Sequence, residues 1–542
     1  MKKWFNKILG SRFAGVFCFL FAIANRIIFA SLYSLIGVDT KLQLVYAKNF
    51  MTGKGLGATK YFTNDLNTPV FDTHQLFPPG FSFAIIPFLK LFGGDEYKAV
   101  FVFDILVAIF FILAVRLLAN RAGLPNALNN IAVLIAGCSQ YFFFMSWSST
   151  DAVGVCLLLW ALVATITIIY KKENIGVLKA LIIGLLFCSP FFFRYMYLPI
   201  ALLLPVLILL AAFVLKNKTL KSVGLKIFAT TASLLLLYFA LSVSFAGNAL
   251  YITNVGRGVF VDQLAECYPF LPASLINIDF AAQLVQTVSG IDYSQTIFFL
   301  QIINPVLLIL LIYFLARYIL IHRMDLVFSE HSLFIVVGSF ISFTIILLLS
   351  WLTVTYKELS WGFYNWTHVQ DPRYYAFIYV FVPLLVFVCM YNYRSSFKGW
   401  IVRFFVFAAL CCFAIETLHG IYYNIKILGA HKDLEYIRDA DEGFRTFPAI
   451  ITDIKKQYPD REVIVCSPDQ FYLHTASQLG YKAVFDYDNF LQTGLKVPVK
   501  SILVMPIQSR DLTIINKYLE EKKPNLFFAI AGTSFYVQEI NP

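Results

Sequence analysis

Eleven stretches of this chain run for about twenty residues with few charges: roughly 12–36, 98–117, 126–145, 152–170, 175–193, 195–215, 223–246, 296–320, 331–353, 374–392 and 400–422. A helix needs about 20 apolar residues to cross some 30 Å of hydrocarbon. Inside that layer only helices and closed barrels satisfy their own backbone. The expected fold is a polytopic α-helical membrane protein with about eleven transmembrane helices. Composition points the same way. The chain is 59% hydrophobic and only 14% charged, against about 25% charged in soluble domains, and its mean hydropathy is +0.72. These values exclude a disordered chain, a disulfide scaffold and most soluble enzymes. The first run follows Lys2, Lys3 and Lys7, as in a signal peptide. It is too long for one and lacks a small-residue cleavage pattern, so it reads as an uncleaved anchor.

The net charge of +11 has a topological explanation. With the N-terminus in the cytoplasm, the inner segments hold seventeen Lys and Arg but only Glu173, Asp325 and Glu330 as acids. The three large outer loops, about 37–98, 247–295 and 354–373, hold nine basic and eleven acidic residues. That is the bias that orients membrane proteins, and an odd number of spans leaves the C-terminus outside. Residues 430–542 carry 13 basic and 15 acidic residues, so the excess belongs to the membrane part and no nucleic-acid partner is expected. Seven of the nine cysteines lie in apolar runs, where they act as small hydrophobes. With no CxxC and no Cys/His cluster, a zinc site has no support.

The outer loops and the tail are where chemistry has room. In loop 37–98, Lys41 to Ala47 reads as a helix, and Pro78 to Pro87 is an apolar run too short to span, better suited to an interfacial or re-entrant helix. Loop 247–295 mixes apolar and polar residues like an amphipathic surface helix. Loop 354–373 has the aromatic content of a membrane interface and holds the sequon Asn365-Trp366-Thr367. Near Ala430 the character changes. Strand signals at 462–466, 501–505 and 526–530 alternate with helical patterns at about 441–457, 469–479 and 510–521. The expectation is a small extracytoplasmic α/β domain with a largely parallel sheet. It carries neither a GxGxxG nor a phosphate-binding loop motif. The chain thus divides into a membrane domain, 1–429, and a C-terminal domain, 430–542.

Asp39 follows the first run on its outer side, where a carboxylate can take a proton from a hydroxyl nucleophile. The bland alternative is a charge that caps the next helix. Arg26 and Asp104 fall inside apolar runs, where ionisable groups are functional candidates by default. The bland alternative there is mutual neutralisation. Asp151 opens the fourth run from outside, Arg194 sits at the outer turn between the fifth and sixth, and Arg373 enters the tenth. Guanidinium groups bind phosphate in a bidentate manner, against the alternative of snorkelling to lipid headgroups.

In order, Asn25-Arg26, Asp39, Tyr46-Ala47-Lys48-Asn49, Gly53-Lys54-Gly55, His74-Gln75-Leu76-Phe77-Pro78-Pro79-Gly80, Leu91-Phe92-Gly93, Ser149-Thr150-Asp151, Phe193-Arg194-Tyr195 and Asp371-Pro372-Arg373-Tyr374 span residues 12–392. In that order they resemble the GT-C superfamily of polytopic glycosyltransferases, around the protein O-mannosyltransferases and the lipid A aminoarabinose transferase. The resemblance implies an inverting transfer of sugar from a polyprenyl-phosphate carrier, with Asp39 as base. It implies Arg194 and Arg373 on the lipid phosphate, Lys60 and His74 as weaker candidates for that role, and Tyr374 and Asp151 in the substrate-binding set. The implied partners are membrane lipids, a polyprenyl-phosphate sugar donor, and a glycan, lipid or protein acceptor. The implied location is a bacterial inner membrane. Many O-mannosyltransferases carry adjacent acids at the first-loop position; here Asp39 is followed by Thr40, which gives little reason to expect a divalent metal. A transporter or flippase of lipid-linked sugars is the alternative; against it, no internal repeat is visible and the polar candidates gather at one face.

Overall fold

The computed structural model describes residues 8–32, 36–73, 77–139, 142, 145, 149–246, 285–291, 329–355, 372–392, 400–429, 435–530 and 532–542. The run 296–320, His74, Asp371, the sequon 365–367 and most of loops 247–295 and 354–373 lie outside them.

Helices coincide with the other ten apolar runs. They are α1 (Arg12–Leu32), α4 (Glu96–Arg121), α5 (Asn126–Cys138), α6 (Ser149–Lys171), α7 (Val177–Phe193), α8 (Leu198–Val214), α9 (Lys218–Ala246), α10 (Glu330–Thr355), α11 (Ala376–Asn392) and α12 (Trp400–Gly429). The protein is a multi-pass membrane protein: among the described residues six helices are long and apolar enough to cross a bilayer, and four more are apolar but shorter. The expected count of eleven crossings is therefore not reached by the described helices alone.

One shortfall has a visible cause. The run 126–145 was expected to be one helix, yet α5 ends at Cys138 and Ser139 turns extended. Arg26 of α1 donates to the carbonyls of Ala136 (3.2 Å), Ser139 (2.9 Å) and Phe142 (3.1 Å). Non-helical backbone at membrane depth is tolerated when protein groups satisfy it, and this guanidinium does so. Arg26 therefore serves α5 and does not neutralise Asp104. Gly137 lets α1 and α5 meet: a Cβ there would lie 2.2 Å from the Ala22 Cβ.

Between α1 and α4 the first long loop folds into α2 (Val38–Met51), the hairpin β1 (Gly57–Phe62) and β2 (Asp65–Thr73), and α3 (Gly80–Leu91). The apolar run expected to be an interfacial helix is α3, which buries Phe81, Ile85 and Leu89. The hairpin is a surprise. It joins a seven-stranded sheet ordered β2-β1-β4-β3-β5-β7-β6, with β3 (Glu462–Cys466), β4 (Lys482–Val484), β5 (Ser501–Gln508), β6 (Asn525–Ile530) and β7 (Thr533–Ile540) from the tail. Strands β1, β4, β3 and β5 run parallel, while β2, β7 and β6 pair antiparallel. The sheet is thus mixed rather than largely parallel, because the tight β6–β7 connection permits only an antiparallel return.

Helices α13 (Glu435–Gln457) and α14 (Gln470–Gln478) cover one face of this sheet; α15 (Tyr487–Thr493) and α16 (Leu512–Lys522) cover the other. The two-residue period of a strand builds both cores. Val463, Val465, Ile502 and Val504 point to one side, with Phe447 and Tyr472. Ile464, Cys466, Leu503 and Met505 point to the other, with Phe490 and Ile515.

The seam between the hairpin and the tail is well tied. Tyr61 pairs with Val484, the Phe485 N–H donates to the Tyr61 carbonyl, and Ser477 donates to the Thr59 carbonyl at 2.7 Å. Both carboxylate oxygens of Asp486 accept from the Thr63 N–H, at 2.9 and 3.0 Å.

Candidate active site

Asp39, Asp151, Arg194 and Arg373 come together from four separate segments. Asp39 is the second residue of α2, where a negative charge is favoured by the helix dipole. It caps nothing: the N-cap is Gly37, without a side-chain bond. Asp151 sits in the first turn of α6. Arg194 follows the last turn of α7, just before a 3₁₀ turn at Tyr195–Tyr197. Arg373 lies in a second 3₁₀ turn, Pro372–Tyr375, at the entry to α11.

The two carboxylates are held differently. Asp151, with a side chain 2% exposed, accepts from two N–H groups along one edge of the Arg194 guanidinium. Nε reaches Oδ1 at 2.5 Å and Nη2 bonds Oδ2. This fork is the strong form of the interaction. Arg373 adds a contact to Asp151 Oδ2 at 3.5 Å. Asp39 is 31% exposed and stands farther off, its Oδ2 3.4 Å from Arg194 Nη2 and 3.3 Å from Arg373 Nη1. Arg194 therefore leans on Asp151, while Arg373 stands between the two acids and Asp39 closes the cluster loosely at its mouth.

Aromatic rings flank the cations. The Arg194 guanidinium carbon lies 5.1 Å from the Phe77 ring centre, and that of Arg373 lies 5.3 Å from Tyr374. Tyr197, buried beside Asp151, fits because α6 carries a glycine there: a Cβ on Gly154 would sit 2.8 Å from the Tyr197 ring. Gly80 does the same for α3, where a Cβ would lie 2.3 Å from the Phe192 carbonyl oxygen, two residues before Arg194.

Of the residues singled out from sequence, Asp39, Asp151, Arg194, Arg373 and Tyr374 are thus assembled. Lys60 instead stands on β1, opposite Val70, its ammonium 5.2 Å from the Phe485 ring centre. That position lies at the seam between β1 and the tail's sheet. His74 lies outside the described residues. What sequence reasoning missed is a second charged group behind Asp39: Lys41 and Lys48 of α2 clasp Glu96 at the start of α4. Its signal was the seven-residue spacing of the two lysines, which puts both on one helix face.

Among the described residues no group of three or more His, Cys, Asp or Glu is placed to hold a metal. The two carboxylates of the cluster each face two guanidinium groups within 3.5 Å, a setting that repels a divalent cation. At the opposite end of the bundle, Arg121 of α4 pairs with Glu330 of α10 at 2.5 Å. The Lys41–Glu96–Lys48 group and this pair thus mark the two ends of α4.

No family model matches the chain, and no curated protein does. Solved structures do. ArnT from Cupriavidus metallidurans in the apo state is 13% identical, with 97% of this chain and 98% of that one aligned, at a TM-score of 0.48. The same protein bound to undecaprenyl phosphate aligns over the same shares at 0.42. The Archaeoglobus fulgidus oligosaccharyltransferase in the apo form is 11% identical, with 93% of this chain and 70% of that one aligned, at 0.50. At such identities the likeness speaks to the fold alone: this chain is similar in fold to that oligosaccharyltransferase.

Proposed function

We propose that the chain is an inverting glycosyltransferase of the extracytoplasmic membrane face, moving a hexosyl or pentosyl group from a polyprenyl-phosphate carrier to an acceptor hydroxyl. The observation that carries this reading is Asp39: a part-exposed carboxylate, loosely held, within 3.4 Å of two guanidinium groups contributed by distant segments. The positive-inside bias supports the outer face. One of the neighbours is bound to undecaprenyl phosphate, a carrier of the chemistry two arginines would recognise.

The chemistry follows from charge. A sugar linked through phosphate to a lipid is a phosphodiester with one negative charge. Breaking the bond from the anomeric carbon to the phosphate oxygen leaves a phosphomonoester with a second charge on it. Arg194 and Arg373 would meet that growing charge, so they hold the transition state more tightly than the ground state. As the lipid phosphate draws the guanidinium N–H groups toward itself, their contacts to the part-exposed Asp39 and the 3.5 Å contact of Arg373 to Asp151 are the first to be given up. The freed carboxylate accepts the proton of the acceptor hydroxyl. The oxygen forms a bond to the anomeric carbon from the face opposite the phosphate, which inverts that centre. Asp151 stays bound to Arg194 throughout and keeps its fork in place.

The test is product analysis with purified protein in vesicles supplied with a polyprenyl-phosphate sugar and candidate acceptors. A new glycosidic bond supports the reading. Passage of the lipid-linked sugar to the other leaflet, with no bond formed, favours the flippase alternative.

A further inference from the structure

The second charged group explains how Asp39 is kept in place. On a helix Lys41 stands about 200° around from Asp39, so α2 shows its carboxylate to the reaction cluster and its ammonium to the opposite side. Residues 40–47 of α2 are all buried, although the helix has no apolar stripe. It is enclosed instead by α3, β1 and α14. Lys41 Nζ bonds Glu96 Oε2 of α4 and lies 3.3 Å from Gln478 Oε1 and 4.9 Å from the Phe471 ring centre, both on α14. Lys48 holds the other Glu96 oxygen at 2.7 Å. Phe471 is itself packed into the core of the membrane bundle. Nearby, Phe444 of α13 lies 4.0 Å from Phe471, and the Arg445 guanidinium stands 4.4 Å over Tyr97 of α4. One ammonium thus joins the bundle, the tail's α/β layers and the helix that carries the reacting carboxylate.

We infer that Lys41 is a positioning residue, and that the C-terminal α/β unit acts through it as a brace setting the place of Asp39 rather than as a separate binding module. This rests on the reading of Asp39 as the base. A buried ion pair is a rigid register device when its charges are fully met, and here Glu96 is met twice. A displacement of about 1 Å in a reacting group costs on the order of 100-fold in rate. The hairpin seam through Thr63 and Asp486 fixes the far end of the same loop, so α2 is held at both sides.

The test is a double-mutant cycle in the full-length protein, read by single-turnover transfer and by binding of the polyprenyl phosphate carrier. Lys41→Met is expected to slow transfer by roughly 10- to 100-fold while the carrier's Kd and the donor's KM stay within about twofold. Lys41→Arg is expected to restore most of the rate. In an Asp39→Asn background, Lys41→Met is expected to add nothing, because the group it positions is gone. If Lys41→Met does not insert, Gln478→Leu cuts only the contact to α14 and leaves the Lys41–Glu96 pair whole. It is expected to slow transfer several-fold with the same dependence on Asp39. Equal slowing in both backgrounds, or loss of carrier binding along with rate, would mean a general structural role and overturn the inference. An unchanged rate for Lys41→Met beside an inactive Asp39→Asn overturns it while leaving the base reading intact. An active Asp39→Asn variant removes both.

Discussion

Asp151→Asn separates the buried carboxylate from the exposed one. The substitution keeps the shape and one acceptor oxygen but removes a charge that meets Arg194 through a fork and Arg373 at 3.5 Å. At an effective dielectric constant of about 20, a unit charge pair at 3.5 Å interacts by roughly 5 kcal/mol. Removing one partner from a buried pair costs about 3–5 kcal/mol, since the remaining charge stays desolvated. The side chain is 2% exposed, so solvent offers little relief. Asp39→Asn provides the control: its partners stand at 3.3 and 3.4 Å, its side chain is 31% exposed, and such pairs are worth about 1 kcal/mol or less. Thermal unfolding in detergent, followed by tryptophan fluorescence, should place Asp151→Asn on the order of 10 °C below the parent and Asp39→Asn within about 3 °C of it. Both variants should lose transfer. A melting point for Asp151→Asn within 2 °C of the parent, or below-parent stability confined to Asp39→Asn, would refute the division between a holding and a reacting carboxylate.

Three further outcomes follow from the same geometry. Arg373→Lys gives up a guanidinium that spans Asp39 and Asp151 for a point charge, and binding of polyprenyl phosphate measured by titration should weaken about tenfold; unchanged affinity would remove Arg373 from the phosphate site. Gly80→Ala brings a Cβ to 2.3 Å from the Phe192 carbonyl, so the chain leading to Arg194 must shift by about 1 Å, and single-turnover transfer should fall by roughly 100-fold. His474, 1% exposed and faced by the ammonium groups of Lys60 and Lys41, has its pKa pushed down to about 3 by burial and then by those charges. The unfolded chain takes up this proton below about pH 6.5 while the folded chain does not, so stability is whole above that pH and falls as pH drops toward 3. Between pH 6.5 and 4.5, His474→Phe should therefore lose about 2–3 kcal/mol less than the parent in chemical denaturation, and parallel losses would show that His474 takes a proton in the folded state.

The membrane half was legible because burial in lipid writes itself into composition: ten of the apolar runs coincide with helices. The ion cluster was legible for a related reason. Asp39, Asp151, Arg194 and Arg373 each lie at a helix end, and few charges survive beside lipid without a partner. The hairpin was not legible. Gly57–Phe62 and Asp65–Thr73 are short and polar, and their place is fixed by Val484 and Asp486, more than 400 positions away; local propensity carries no trace of such a pairing. Strand β7 did carry a signal, since Thr533–Ile540 buries alternate residues, but its polar outward half hid it beside the more apolar β6. The early end of α5 depended on where the Arg26 side chain reached, which spacing alone does not state.

The measurement that bears most directly on the account is single-turnover transfer by Asp39→Asn, with polyprenyl phosphate binding and melting temperature taken on the same preparation. With the arginine fork on Asp151 intact, the account predicts binding and melting close to the parent and a transfer rate lower by about 10²–10⁴-fold, the contribution of a positioned general base. Product formed at the parental rate, or carrier binding lost while the residual rate per bound carrier is unchanged, would contradict it.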